Sequence, residues 1–294
     1  ATATVPATAT TSAAGLASVT ATAGTVVGSY SVTATVGVLP AVTFSLTNNP
    51  GAASQVTVVA GGTQSATVNT AFATGLQVRV QDQYSNAVPG VTVSYAAPAT
   101  GAKATLSSAT AVTSAAGLAS VNATAGTVAG SYAVTATVGA LPAASFALTN
   151  APGAASVVVK VAGDGQSATV NTGFATALQV RVDDAFSNPV PNVTVTFAAP
   201  GTGASAALSA ASATTSAGGT ASVTATANTK AGAYAVTASA AGASSASFSL
   251  TNSTGAAASV TIVAGSPQSA VVGAAFATGL QVRVDDAFAN PVQG

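Results

Sequence analysis

The 294-residue chain holds six acidic side chains, all aspartate, matched by six lysines and arginines. Four of the aspartates form adjacent pairs, Asp183-Asp184 and Asp285-Asp286, followed closely by Asn188 and Asn290. Two chemistries suit such a cluster. Ca²⁺ takes six to eight oxygens from carboxylates, amides and backbone carbonyls, which makes Asp183, Asp184, Asn188, Asp285, Asp286 and Asn290 candidate ligands. Alternatively, the second aspartate and the asparagine bond loop amides and shape a structural turn. An earlier copy of the stretch reads Gln81-Asp82 with Asn86, so one carboxylate is replaced there. A repeated ion site would have lost a charged ligand in that copy, whereas a turn needs only Asp82 and Asn86. The turn reading therefore takes in Asp82, Asn86, Pro89, Gly90, Asp184 and Asn188, with no cofactor; Ca²⁺ is the open alternative. A glycosidase-like acid pair fits badly, because adjacent residues on a strand point to opposite faces.

Composition narrows the chemistry further. Histidine, cysteine, methionine and tryptophan are absent, as is glutamate, which removes most acid–base, nucleophilic and metal-ligand groups. The chain is not expected to be an enzyme. Its formal net charge is zero, so it offers no basic footprint for nucleic acid and no polybasic patch for anionic lipid. Thr, Ser or Gly interrupts every apolar run, so membrane insertion by a helix of ~20 apolar residues is not expected. The opening ATATVPATAT lacks the charged and apolar regions of a signal peptide; for an exported protein, this is a mature or internal segment.

The elements that must position these residues recur. Gly28-Ser29-Tyr30, Gly130-Ser131-Tyr132 and Gly232-Ala233-Tyr234 are spaced by 102 residues, as are Phe44, Phe146 and Phe248 and also Phe72, Phe174 and Phe276. That period is too long for a solenoid unit and matches one immunoglobulin-type sandwich. Apolar residues alternate at strand spacing, as in Leu76, Val78 and Val80, then Val91, Val93 and Tyr95 after Pro89-Gly90. About seven short strands per repeat are expected and no helix, since the abundant alanine is interleaved with Thr, Val, Ser and Gly. The fold expected is all-β: tandem immunoglobulin-like β-sandwiches, end to end as a rod, because only residues 150–155 separate consecutive strand sets. The domains expected are 1–50 (the C-terminal part of a first), 51–152 and 153–254 (complete), and 255–294 (the N-terminal strands of another).

The run from Leu76 to Val138 resembles the bacterial immunoglobulin-like domain of group 1, found repeated in the stalks of invasin- and intimin-type and giant repeat adhesins. The resemblance rests on Asp82-x-x-x-Asn86-x-Val88-Pro89-Gly90, on Thr113-Ser114-x-x-Gly117, and on Gly130-Ser131-Tyr132-x-Val134-Thr135-Ala136. It implies an extracellular or bacterial cell-surface protein in which such domains are spacers. The sparse charge departs from the family pattern.

Other repeated residues have bland and sharp readings. Tyr30, Tyr132 and Tyr234 read as core or corner tyrosines with hydroxyls tied to backbone, or as sugar-stacking platforms. Arg79, Arg181 and Arg283 form an outward row facing nearby acids or a neighbouring chain. Asn122, Asn192 and Asn252 begin Asn-x-Ser/Thr triplets, which also arise by chance in a Thr-rich chain. Three full periods of 102 would need 306 residues, twelve more than 294, and the segment VTVSYAAPATGA (Val91 to Ala102) occurs twice while every other phase occurs three times. The end domains are therefore expected to be completed by the continuing chain, or head to tail by another copy, and neutral sides suit lateral packing too. The function expected is a structural segment of a fibre or adhesin, giving length, stiffness and presentation; the alternative is a repeated glycan- or Ca²⁺-binding module.

Overall fold

A computed structural model describes residues 1–294, and none of them is helical. Thr and Val between the alanines explain this, because branched side chains lose rotamers in a helix but pack well on a pleated surface. The chain divides into two compact units, Ala1–Ala151 and Pro152–Gly294.

The first unit contains one complete sandwich. A three-stranded sheet orders Leu118–Val121, Leu76–Gln81 and Gln55–Ala60. Opposite it, a five-stranded sheet orders Thr110–Val112, Thr92–Ala96, Gly130–Thr137, Ala144–Ala151 and Thr63–Thr67, and the last two strands run parallel. Ala123–Ala125 and Ala104–Leu106 pair separately. Ten strand segments thus lie between Gln55 and Ala151, more than the seven or so expected. The additional ones are short, alanine-rich or polar, and carry little alternation.

Leu76, Val78 and Val80 project from the three-stranded sheet onto Val93, Tyr95, Val134, Phe146 and Leu148. Tyr95 keeps its ring in this core, 6.3 Å from that of Phe146, and donates its hydroxyl to the Ala119 carbonyl at 2.8 Å. Burial pushes its hydroxyl pKa up to about 12. Gly117 turns into the Leu118 strand at φ +71, and a Cβ there would lie 2.6 Å from the Val80 carbonyl oxygen; only glycine fits both constraints.

The second unit repeats the arrangement. Val157–Ala162, Leu178–Asp183 and Thr220–Val223 form one sheet; Gln166–Thr169, Ala246–Ser253, Gly232–Ala240, Thr194–Ala198 and Ser212–Thr214 form the other. Each unit also carries strands of a further repeat: Gly28–Ala34 paired with Val42–Asn48 in the first, and Ala257–Ala264 paired with Gln281–Asp286 in the second. Their apolar faces are open.

Replacing Phe146 or Phe248, both fully buried, by alanine is expected to destabilise its sandwich by about 3–5 kcal/mol, read as a lowered denaturation midpoint for that repeat.

Candidate functional site at the repeat joints

The repeated aspartate sits where one repeat meets the next. In the first unit Asp82 leaves the end of strand Leu76–Gln81 and turns inward, 3% exposed. Its Oδ1 accepts the backbone amides of Tyr84 and Asn86, each at 2.9 Å, and the Asn86 side-chain amide at 3.1 Å. Its Oδ2 accepts the same Asn86 amide at 2.9 Å and the backbone amide of Gly51, in the linker, at 2.9 Å. The loop closes with Ser85 in the left-handed region, φ 67, a costly conformation for a residue with a Cβ that these bonds hold in place.

Asn86 then reaches back into the preceding repeat. Its Oδ1 accepts the Val27 amide at 3.2 Å and its Nδ2 donates to the Thr25 carbonyl at 2.8 Å. Loop 24–27 is gripped from its own side by Asn48, whose Nδ2 donates to the carbonyls of Thr2 and Val26 at 2.9 and 3.1 Å. Asn48 Oδ1 in turn accepts the Tyr30 hydroxyl at 3.0 Å. A continuous relay therefore runs Tyr30, Asn48, loop 24–27, Asn86, Asp82, Gly51.

The second unit builds the same joint 204 residues later. Asp286 accepts amides from Phe288, Asn290 and Gly255 at 2.8, 2.9 and 2.9 Å. Asn290 accepts the Ala231 amide at 2.9 Å and donates to the Thr229 carbonyl at 2.9 Å. Asn252 donates to the Lys230 carbonyl at 3.0 Å and accepts the Tyr234 hydroxyl at 3.0 Å. Asp184 likewise accepts the amides of Phe186, Asn188 and the linker Gly153 at 2.8, 2.9 and 2.8 Å, and the Asn188 side chain at 2.9 Å.

Burial by itself would raise the Asp82 carboxyl, but the Asn86 side-chain amide and the Gly51, Asn86 and Tyr84 backbone amides outweigh it and lower its pKa from 3.8 to about 2. Asp184 and Asp286 are shifted downward by the same balance, with Asn188 and Asn290 as the largest lowering influences. Burial raises the Tyr132 and Tyr234 hydroxyls to about 12, so they remain donors at any physiological pH.

Asp183 and Asp285 point elsewhere. The Asp183 carboxylate pairs with Arg181 through Nε at 2.7 Å and Nη2 at 2.8 Å, and Asp285 with Arg283 Nε at 2.7 Å. Where Gln81 replaces the first aspartate, Arg79 donates to the Ala116 carbonyl at 3.3 Å and Gln81 to the Ser85 carbonyl at 2.8 Å. The six candidate calcium ligands are therefore divided between two tasks, and no group of three or more acidic side chains converges. The carboxylates of Asp82, Asp184 and Asp286 are ringed by N–H donors, an environment that stabilises negative charge.

Pro89 and Gly90 close the loop after Asn86. Gly90, φ 72, donates to the Thr113 carbonyl at 2.9 Å, and the buried Thr113 hydroxyl donates to the Val88 carbonyl at 2.8 Å. Asn192 holds the same left-handed position in the next repeat, φ 60, so its triplet coincides with a turn. Asn252 is buried within the relay, and Asn122 is exposed beside a strand. The tyrosine hydroxyls were expected on backbone; they bond Asn48, Asn150 and Asn252 instead, because these asparagines can accept the hydroxyl and still donate to neighbouring backbone carbonyls. The role of those asparagines is invisible to motif reading, and their one signal is their common phase after Leu-Thr.

Two facing sheets in repeated register, joined through short clasped linkers, define the class: tandem immunoglobulin-like β-sandwiches. The family described as bacterial Ig-like domain (group 1) matches residues 159–253, within the second unit. No curated protein sequence matches it. Among solved structures, the chain is similar to FdeC, an Escherichia coli adhesin, with 18% identity and a TM-score of 0.54 over 84% of this chain and 79% of that one. It is also similar to InvD of Yersinia pseudotuberculosis, with 19% identity and a TM-score of 0.53 over 81% of this chain and 72% of that one.

Because Asp82 has a lower pKa folded than unfolded, its charged form contributes stability that is complete above about pH 4 and is lost as pH falls toward about 2. Thermal melts should be flat from pH 7 to about pH 4 and fall below it. An Asp82→Asn variant, which sets an amide against the donors, should melt lower at pH 7 and show a weaker acid limb.

Proposed function

We propose that the chain is a structural segment of a bacterial surface adhesin or extracellular fibre, in which serial Ig-like repeats supply length, stiffness and presentation. The proposed repeat borders fall after residues 50, 152 and 254. The carrying observation is the Asp–Asn clasp: a buried aspartate and its asparagine tie the linker amide and a loop of the preceding repeat to the next repeat, as at Asp82 with Gly51 and Asn86 with Thr25 and Val27. Such a joint resists bending, which a spacer needs and an enzyme or a flexible tether does not. The family match and the fold shared with a protein described as an adhesin support the surface setting. The residue inventory supports a non-enzymatic role.

The clasp is tested by residual dipolar couplings within the first unit. Strands Gly28–Ala34 and Val42–Asn48 should share one alignment tensor with Gln55–Ala151 strands, and Asn86→Ala should split it in two. Separate tensors in the unsubstituted chain, or none of this splitting in the variant, would sink the proposal. Calcium supplies a second check. Millimolar Ca²⁺ is expected to leave the melting temperature unchanged, and a rise of several degrees would favour the ion-binding reading of Asp184 and Asp286.

A further inference from the structure

In each complete repeat the second strand and the last lie side by side and run parallel. In the repeat 51–152 they are Thr63–Thr67 and Ala144–Ala151, in register from Ala147 beside Thr63 to Ala151 beside Thr67. In the repeat 153–254 they are Gln166–Thr169 and Ala246–Ser253, from Gln166 beside Leu250 to Thr169 beside Ser253. Both ladders are closed in the same way. At one end the Ala147 amide donates to the Gly62 carbonyl at 2.8 Å, and in the next repeat Asp164 Oδ1 takes that place for the Ser249 amide at 2.9 Å. At the other end Val68 donates to the Ala151 carbonyl at 2.8 Å and Val170 to the Ser253 carbonyl at 2.9 Å. Ser167 and Ser253 add a side-chain bond, Oγ to Oγ 2.8 Å, and Lys160 of the first strand pairs with Asp164.

We infer that each complete repeat bears tension, and that its parallel ladder is the mechanical clamp. The inference rests on reading the chain as a serial array of repeats. In such an array a pull along the chain draws the second strand of a repeat toward the preceding repeat and its last strand toward the following one. Parallel strands drawn in this way slide past each other, so the evenly spaced bonds of the ladder are loaded together. A pair held by two ends that lie side by side opens one bond at a time instead. Resistance to force is set by the unfolding barrier and not by the free energy of folding, so the same bonds hold more in the sliding geometry than in the peeling one. The repeat 153–254 carries an outer latch as well. Val158 donates to the Ser244 carbonyl and Ser244 to the Ser156 carbonyl, each at 3.0 Å, which fastens the start of the first strand to the loop before the last. The counterpart of Ser244 in the repeat 51–152 is Pro142, which has no N–H to donate.

The chain has no cysteine, so paired cysteine substitutions choose the points at which one molecule is held between DNA handles. Ala154→Cys with Ala256→Cys, both at exposed positions, loads the repeat 153–254 through its ends and shears the ladder. Gly173→Cys with Ala256→Cys grips the same ladder just beyond its Ser253 end and peels it; a Cβ at Gly173 meets nothing within 4 Å. Force spectroscopy at one loading rate should give a severalfold higher rupture force for the first pair, while chemical denaturation gives both variants the same midpoint. Ala52→Cys with Ala154→Cys, against Ala71→Cys with Ala154→Cys, makes the same comparison in the repeat 51–152 and should give the same order. Ser244→Pro should release the first strand of its repeat at lower force and leave the main rupture unchanged. Equal rupture forces in the two directions would overturn the inference, as would a fall of the main rupture in Ser244→Pro, which would put the load on the outer latch. Either failure with a single alignment tensor across Asp82 would leave the array reading intact.

Discussion

A carboxylate removed from water carries a large desolvation cost unless its lone pairs meet donors. At Asp82 and Asp286 every donor comes from a place whose position matters: the local loop, the linker glycine and an asparagine. That asparagine has capacity left over and spends it on the preceding repeat. Withdrawing any one partner leaves a charged group short of a hydrogen bond inside the protein, so local turn, linker and neighbouring loop stand or fall together. The hydrogen bonds of the joint gather around one buried charge, in a chain with little other charge to use.

The sheets themselves obey a simpler rule, that an apolar face must be covered. In the complete repeats it is met by Phe146 or Phe248 against the Leu-x-Val-x-Val strand of the facing sheet. The outward rows of Thr, Ser and Ala add little. The Arg181–Asp183 pair, with a guanidinium half in water, contributes about 0–1 kcal/mol, so the Arg row is an edge feature and not a fastener.

Alternation of Leu76, Val78 and Val80, the turns at Gly90 and Gly117 and the 102-residue recurrence were enough to read a β-sandwich repeat. Pairings set by distant partners were not. Segments Thr63–Thr67 and Gln166–Thr169 are strands because Ala144–Ala151 and Ala246–Ser253 lie beside them; the related segment 268–271, without such a neighbour, is not assigned as strand. The joint divides the same way. That Asp82 and Asn86 bond within one loop is a local property and follows from their spacing, whereas the reach of Asn86 to residues 25 and 27 is tertiary. Asn48 and Asn252 read as ordinary polar residues because what they do depends on loops more than 20 residues away.

The clasp recognises the preceding repeat only through main-chain atoms, the Thr25 carbonyl and Val27 amide at one joint and the Thr229 carbonyl and Ala231 amide at the other. Thr25-Val26-Val27 and Thr229-Lys230-Ala231 differ in side chains and are held alike. Any repeat that presents this loop backbone can precede any repeat that carries the Asp–Asn pair. Exchanging one such repeat for another then needs no compensating side-chain change at these hydrogen bonds.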